Sequence, residues 1–166
     1  QLAFVIEEYH QAIIAWQKAY IMNAHLEHAI YNIAFTYYRL GTLEDDSEKR
    51  RKLLDDAVLE FKKAIRMRPD NTDTHLHLGL SWFELDKFED AIKEYQEVLR
   101  LDPDDVYAHY NLGNVYYELG AENPKFLDMA LAEYKQSIHK NPEDLKSHNN
   151  IADCLLRMAA PKRRAP

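Results

Sequence analysis

His75-Leu76-His77-Leu78-Gly79-Leu80-Ser81-Trp82-Phe83-Glu84-Leu85 returns as His109-Tyr110-Asn111-Leu112-Gly113-Asn114-Val115-Tyr116-Tyr117-Glu118-Leu119, 34 residues later. Histidine, Leu-Gly, two adjacent aromatics and Glu-Leu all keep their places. The downstream half repeats with the same period, through Ala57 and Ala91, Phe61 and Tyr95, Ala64 and Val98, and Pro69-Asp70 and Pro103-Asp104. Two independent sets of anchors with one period define a helix-turn-helix unit that cannot bury its apolar face alone and must stack on neighbours. Such a stack presents surfaces and seldom supplies a catalytic pocket.

Within the units the apolar residues fall at helical spacing, as in Ile30-Ile33-Ala34-Tyr37 and Ala91-Ile92-Tyr95-Val98-Leu99, and no useful stretch alternates with period two. The fold class is therefore all-α. Of the four glycines, Gly41 and Gly120 are expected in the turn after the first helix of a unit, where a left-handed backbone suits glycine. Gly79 and Gly113 fall inside helices, where glycine costs about 1 kcal/mol against alanine. Close helix approach is the expected compensation.

The period drifts twice. First-helix anchors Ile33 and Leu78 are 45 apart while second-helix anchors Ala57 and Ala91 are 34 apart, so 11 extra residues sit between the helices of the first whole unit. Eleven residues are about three turns and lengthen a helix without rotating its buried face. This predicts one long helix from Glu48 to Met67, capped by Asp46 or Ser47. Leu112 and Ile151 are 39 apart, so a later unit carries five extra residues that include Asn123-Pro124. Five would spoil the phase, which predicts a loop and an earlier helix start, with Asn123 as cap and Pro124 at the first helical position.

At 166 residues and 46% hydrophobic content the chain is long enough to bury its own core. The net charge is -7, and without Lys162, Arg163 and Arg164 the balance is 18 basic against 28 acidic residues. A body that acidic repels phosphate backbones, so nucleic acid is not an expected partner. The run Lys49-Arg50-Arg51-Lys52 has the chemistry to hold a phosphate or an acidic partner, but with acids on both sides it reads as a solvated helix face. The lone Cys154 allows no internal disulfide, and no apolar run approaches the ~20 residues of a membrane span. A cytoplasmic protein without direct membrane insertion is expected. The start at Gln1 in mid-pattern reads as a fragment or processed form.

Eight histidines raise a metal site. His75 and His77, two apart on a helix, diverge, whereas His25 and His28, three apart, can share a face. Neither pair is completed by a recognised zinc pattern. His75, His109 and His148 occupy one slot in successive units, but packed helices lie about 8–10 Å apart while metal ligands sit near 2 Å, so repetition explains them better. Cys154 has no base and orienter at hand. Asp104-Asp105 follow Pro103, where caps for the next helix belong. No catalytic residue, metal site or cofactor is expected, and the chain reads as a non-enzyme.

In 72–105 the anchors His75, Leu78, Gly79, Trp82, Ala91, Tyr95, Val98 and Pro103 resemble the pattern of the tetratricopeptide repeat family, departing at the first slot, usually Trp, and at the second Ala. The resemblance covers nearly the entire chain. It implies a right-handed superhelical solenoid of antiparallel helix pairs over 1–160. Its parts are a helix-B half-repeat (1–26), a repeat with the 11-residue insertion (27–71), a repeat (72–105), a repeat with the 5-residue insertion (106–144) and a capping helix (145–160). Residues 161–166 are expected to be a disordered basic tail.

In that family helix A lines a concave groove through its second, fifth, sixth, ninth, twelfth and thirteenth positions. By register the resemblance implies a peptide-binding groove of Tyr31, Asn32, Phe35 and Tyr38, then Leu76, His77, Leu80 and Phe83, then Tyr107, Tyr110, Asn111, Asn114 and Tyr117, and last Lys146, Asn149 and Asn150. Tyrosine and phenylalanine offer large contact area at small rotamer cost. Position six reads Asn32, His77, Asn111, Asn150 and is similar to the asparagine ladder of the family's N-acetylglucosamine transferases. An amide donates to and accepts from a peptide backbone at once. The clamp by which chaperone-binding members hold a C-terminal carboxylate does not fit, because Leu76, Leu80 and Asn150 stand where it needs Lys, Asn and Arg. The expected function is an adaptor binding a partner peptide or helix in the groove. The alternatives are a scaffold assembling with its own kind through the N-terminal helix, and the targeting module of a larger enzyme.

Overall fold

The structure, a computed structural model, describes residues 2–22 and 26–159, with the side chains described from residue 5 onward. His25, which at three residues from His28 can share a face with it, and the tail 161–166, expected to be disordered, lie outside the described residues. Eight α-helices and no strand make up the rest: α1 (Leu2–Ile21), α2 (Leu26–Leu43), α3 (Ser47–Met67), α4 (Thr72–Glu84), α5 (Phe88–Leu101), α6 (Val106–Leu119), α7 (Lys125–Lys140) and α8 (Leu145–Ala159). The fold class is the all-α helical-repeat solenoid that the period implies. Contacts divide the chain into two compact units, Gln1–Glu97 and Val98–Pro166. No helix among the described residues is long and apolar enough to cross a membrane.

In the first unit α2 packs on α1 and α3, and α3 on α4. Its core joins Ala34 of α2, Ala57, Val58 and Phe61 of α3 and Leu78 of α4. These are the small, small and aromatic anchors of the repeat, and their spacing turns them onto one stripe of each helix. In the second unit α7 packs between α6 and α8. Its buried residues include Leu112, Gly113 and Tyr116 of α6, Leu127, Ala130 and Tyr134 of α7, and Cys154 of α8. Ser137 of α7 and Ser147 of α8 share a buried hydrogen bond of 3.1 Å.

Helix starts follow the Asx chemistry of the sequence. Asp46 accepts from the amides of Glu48 and Lys49 at the head of α3, Asn71 from Thr74, and Asp105 from Ala108. Each satisfies first-turn donors that no carbonyl can reach. At α7 the expectation shifts by one residue. Pro124 precedes the helix rather than opening it, and Asn123 Oδ1 still accepts from the amide of Lys125 at 3.1 Å.

Both insertions resolve into helix and loop. The eleven residues do not all enter α3: α2 runs through Leu43, four beyond the place matching the end of α4, and α3 begins at Ser47, seven before the place matching Phe88. An antiparallel pair grown at its tip keeps its apolar faces covered only if both arms grow, and Leu40 and Leu54 are both buried there. The five residues are shared by α6, α7 and a loop enlarged from 85–87 to 120–124.

Two glycine expectations are corrected. Gly41 lies inside α2, Gly120 has φ -62°, and among the described residues no glycine has positive φ. Space is the reason for glycine at both: a Cβ on Gly41 would lie 2.8 Å from Leu54 Cγ, and one on Gly120 would run into the Leu127 side chain. The left-handed residue is Asp86, with φ 57°. It ends α4 in a Schellman turn, with Lys87 N–H donating to Trp82 O and Asp86 N–H to Phe83 O. Gly79 and Gly113 meet expectation. A Cβ there would lie 2.5 Å from Tyr95 Cε1 and 2.6 Å from Tyr134 Cε1, so the tyrosine ring of each second helix lies flat on the glycine of the first.

Candidate functional site: two groove faces

The first unit gathers Tyr31, Phe35 and Tyr38 of α2 around His77 of α4. Ring centroids lie 5.8, 5.1 and 6.3 Å from the imidazole, all near edge-on. Phe61, rising from α3, stacks on the imidazole at 6.0 Å. The register argument missed Phe61 as a member of this cluster because it counted only first helices. Its place as the aromatic anchor of a second helix was the available signal. Phe83 turns away, its ring packing on Phe88 at 5.7 Å. Leu76 and Leu80 are half-buried on α4, and Asn32, also half-buried, has no described side-chain partner.

His77 Nδ1 donates to Asp73 O at 2.8 Å and lies 3.3 Å from the Tyr31 hydroxyl. A carbonyl only accepts, so Nδ1 carries the proton and Nε2 presents a lone pair. Burial pulls the His77 pKa below its ordinary value, the Asp73 contacts opposing it, so the cluster is neutral and mainly apolar. Burial, with Asp73 adding to it, pushes the Tyr31 hydroxyl up.

His75 points elsewhere, as residues two apart on a helix must. Its Nε2 donates to Pro69 O at 3.0 Å and its Nδ1 meets Glu94 at 2.7 Å. His109 repeats the arrangement with Pro103 O at 3.1 Å and Glu133 at 2.8 Å. His148 keeps the first half, with Pro142 O at 2.9 Å. The histidine ladder is thus a lock in which each ring ties the carbonyl six residues earlier to the first turn of its helix. Among the described residues no three His, Cys, Asp or Glu side chains cluster as metal ligands. The Glu94 hydrogen bond raises the His75 pKa against the opposing effect of burial.

The second unit carries a more polar face. Tyr107 is 68% exposed, and Val106, Tyr107, Tyr110, Asn141, Asp144 and Lys146 line a cleft of about 380 Å³. Tyr110 packs on Tyr134 with ring centroids 6.0 Å apart. Asn114 Oδ1 accepts from the Tyr134 hydroxyl at 2.8 Å and from Asn150 Nδ2 at 2.9 Å. Two asparagines named for the groove, Asn114 and, from the position-six ladder, Asn150, therefore serve the fold. Asn111, half-buried, and Asn149, exposed, have no described side-chain partner. Tyr117 lies under the Arg157 guanidinium at 4.8 Å, and Arg157 also donates to Tyr117 O at 3.1 Å. Cys154 is buried, and burial, together with Asp153, raises its thiol pKa.

Helix pairs, glycine-on-tyrosine contacts and Asx-capped joints define a helical-repeat protein with ligand-sized surface on each unit. Residues 79–120 match the family model described as TPR repeat. Among solved structures the chain is similar to MamA (TM-score 0.75, 22% identity, covering 90% of this chain and 78% of that one). It is also similar to TTC0263, a thermophilic TPR protein of Thermus thermophilus (TM-score 0.62, 22% identity, 93% and 94%). A third similar structure is the first TPR of Spaghetti (RPAP3) bound to HSP90 peptide SRMEEVD (TM-score 0.61, 17% identity, 76% and 96%). No curated protein matches the chain. The fold is that of tetratricopeptide-repeat proteins, as the Leu-Gly and Ala-aromatic anchors imply.

Proposed function

We propose that the chain is a non-enzymatic protein-interaction scaffold whose groove faces hold a peptide of a partner protein. The observation that carries the reading is on the second unit, where Tyr107 and Tyr110 line a cleft of about 380 Å³ and, on the same helices as its lining, Asn111 of α6 and Asn149 of α8 have no described side-chain partner. A volume of that size suits one or two side chains of a bound segment, and an unspent amide suits its backbone. The neutral cluster around His77 offers an apolar face on the first unit. The similar RPAP3 structure holds an HSP90 peptide, which supports peptide as the ligand class. Leu76, Leu80 and Asn150 argue against that peptide's carboxylate as the ligand here.

The test is a titration of labelled chain with peptides selected from a displayed library, followed by NMR. Amides of Tyr110, Asn111 and Asn149 should shift on saturation. Unchanged affinity in the Tyr110→Ala, Asn111→Ala double variant refutes the groove reading.

A second reading, self-assembly through α1, is favoured by Ile14, Tyr20, Ile21 and Met22, which are 45%, 46%, 80% and 78% exposed. Light scattering that shows a concentration-independent monomer, with Ile14→Glu and Tyr20→Glu changing nothing, disposes of it.

A further inference from the structure

The first turns of the lengthened α3 and the α4–α5 turn line an open cleft of about 430 Å³, within the roughly 300–1,000 Å³ of small-ligand sites. Arg50 and Arg51, in the first turns of α3, form one wall, and Glu84, Asp86 and Lys87 form the other. Leu85, half-buried, adds apolar surface to the lining, with the buried Leu54 beneath it. In the basic run 49–52, Lys49, Arg51 and Lys52 are exposed as expected of a solvated face, and Arg50 is half-buried. Arg50 and Arg51 line this cleft, while Lys49 and Lys52 line another beside Glu44 and Asp56.

Three cations against two carboxylates leave this cleft positive in a chain of net charge -7. The clefts bordered by Lys49 and Lys52 and by Lys146 hold cations and carboxylates in equal number. Arg50 is paired with Glu84, both side chains being partly solvated at 40% and 27% exposure. An exposed pair of that kind is weak enough for an incoming carboxylate to compete for the guanidinium. Arg51 and Lys87 have no ion-pair partner among the described residues. The wall opposite the arginines is held by the Schellman turn, in which Lys87 N–H donates to Trp82 O at 2.9 Å.

We propose that this cleft docks an acidic segment of a partner protein, whose carboxylates meet Arg51 and Lys87 and displace Glu84 from Arg50. Leu85, half-buried at the cleft, favours glutamate, whose methylene stem can lie on it, over a bare phosphate. Guanidinium is suited to carboxylate, and the present occupant of Arg50 is one. Arg50 and Glu84 stand near Tyr38 of the first-unit cluster, but the proposal does not depend on the function proposed for the groove faces.

The experiment is an NMR titration of the whole chain with acetylated, amidated hexaglutamate at low salt, beside a parallel titration with inorganic phosphate. Saturable shifts at Arg51, Leu85 and Lys87 are expected. Arg51→Ala with Lys87→Ala should weaken binding about tenfold, and Glu84→Gln, by freeing Arg50, should tighten it about threefold. The Tyr110→Ala, Asn111→Ala groove variant should bind hexaglutamate as the parent does. No saturable shift, or affinity unmoved by the Arg51 and Lys87 changes, overturns the proposal. Tighter binding of phosphate at the same amides overturns the acidic-segment assignment.

Discussion

Tyr95 and Tyr134 occupy one slot, each ring flat on the mid-helix glycine of its own repeat, yet removing their hydroxyls should change stability in opposite directions. The Tyr134 hydroxyl donates to Asn114 Oδ1. The Tyr95 hydroxyl is buried and has no hydrogen-bond partner among the described residues. The reason is one residue: the place of Asn114 is taken by Leu80, 34 positions earlier. Tyr134→Phe loses a neutral hydrogen bond worth about 0.5–1.5 kcal/mol net. Asn114 Oδ1 retains Asn150, so no acceptor is orphaned and the loss should be about 1 kcal/mol. Tyr95→Phe removes a group whose unmatched burial costs about 1–3 kcal/mol, less a small loss of packing, for a gain of about 1 kcal/mol. For a chain of this size each is a shift of about 2–4 °C in midpoint, upward for Tyr95→Phe and downward for Tyr134→Phe.

Thermal and urea unfolding followed by circular dichroism measures both, and an unchanged urea slope confirms that stability alone has moved. A further arm installs the missing acceptor as Leu80→Asn. Asparagine at 80 loses apolar burial, so the informative quantity is its coupling with Tyr95→Phe, expected at about 1 kcal/mol. A Tyr95→Phe variant destabilised as much as Tyr134→Phe, or a coupling near zero, would refute the reasoning.

Three further outcomes follow from the same geometry. Asp86→Gly should raise stability by up to about 1 kcal/mol by relieving the left-handed backbone at φ 57°, measurable as a higher urea midpoint. Gly79→Ala should cost about 1–3 kcal/mol, because the new methyl meets a buried ring rather than a mobile side-chain end, and a neutral result in thermal melts would contradict the close packing. His75 has a raised folded pKa, so its ionic contribution is complete below the ordinary imidazole value of 6.5 and is lost as pH rises through the folded value. The stability gap between the parent and His75→Gln should therefore narrow from pH 5.5 to pH 8.5, and a widening gap in pH-dependent urea melts would show the sign to be wrong.

The fold was legible because a repeat writes each contact more than once. Gly79 under Tyr95 and Gly113 under Tyr134 share a spacing pattern, and Asp46, Asn71 and Asp105 stand where helix heads need an oxygen. Irregular details were harder to read. Gly41 and Gly120 suggested left-handed turns from residue type, whereas crowding by Leu54 and Leu127 is what excludes a Cβ. Asp86 gave no such signal, since its conformation follows from how α4 ends. The eleven-residue insertion had the right length for three turns of one helix, but burial of Leu40 and Leu54 required both arms to grow.

The candidate site divides along the same line, and the division bears on where specificity resides. Register named candidate groove positions but could not tell an unpartnered amide from one spent on the fold. Asn114 and Asn150 look like Asn111 and Asn149 in sequence, yet the first pair is committed through Tyr134 and the second is not. A slot filled alike in successive repeats serves stacking, as His75, His109 and His148 do through their proline carbonyls. A slot filled differently frees or orphans a group. His77 in place of Asn gathers an aromatic cluster, Leu80 in place of Asn strands the Tyr95 hydroxyl, and the lengthened hairpin sets two arginines against a turn. Departures from the period, rather than the period itself, are therefore the positions at which substitution should change the faces the repeats present while leaving their stacking intact.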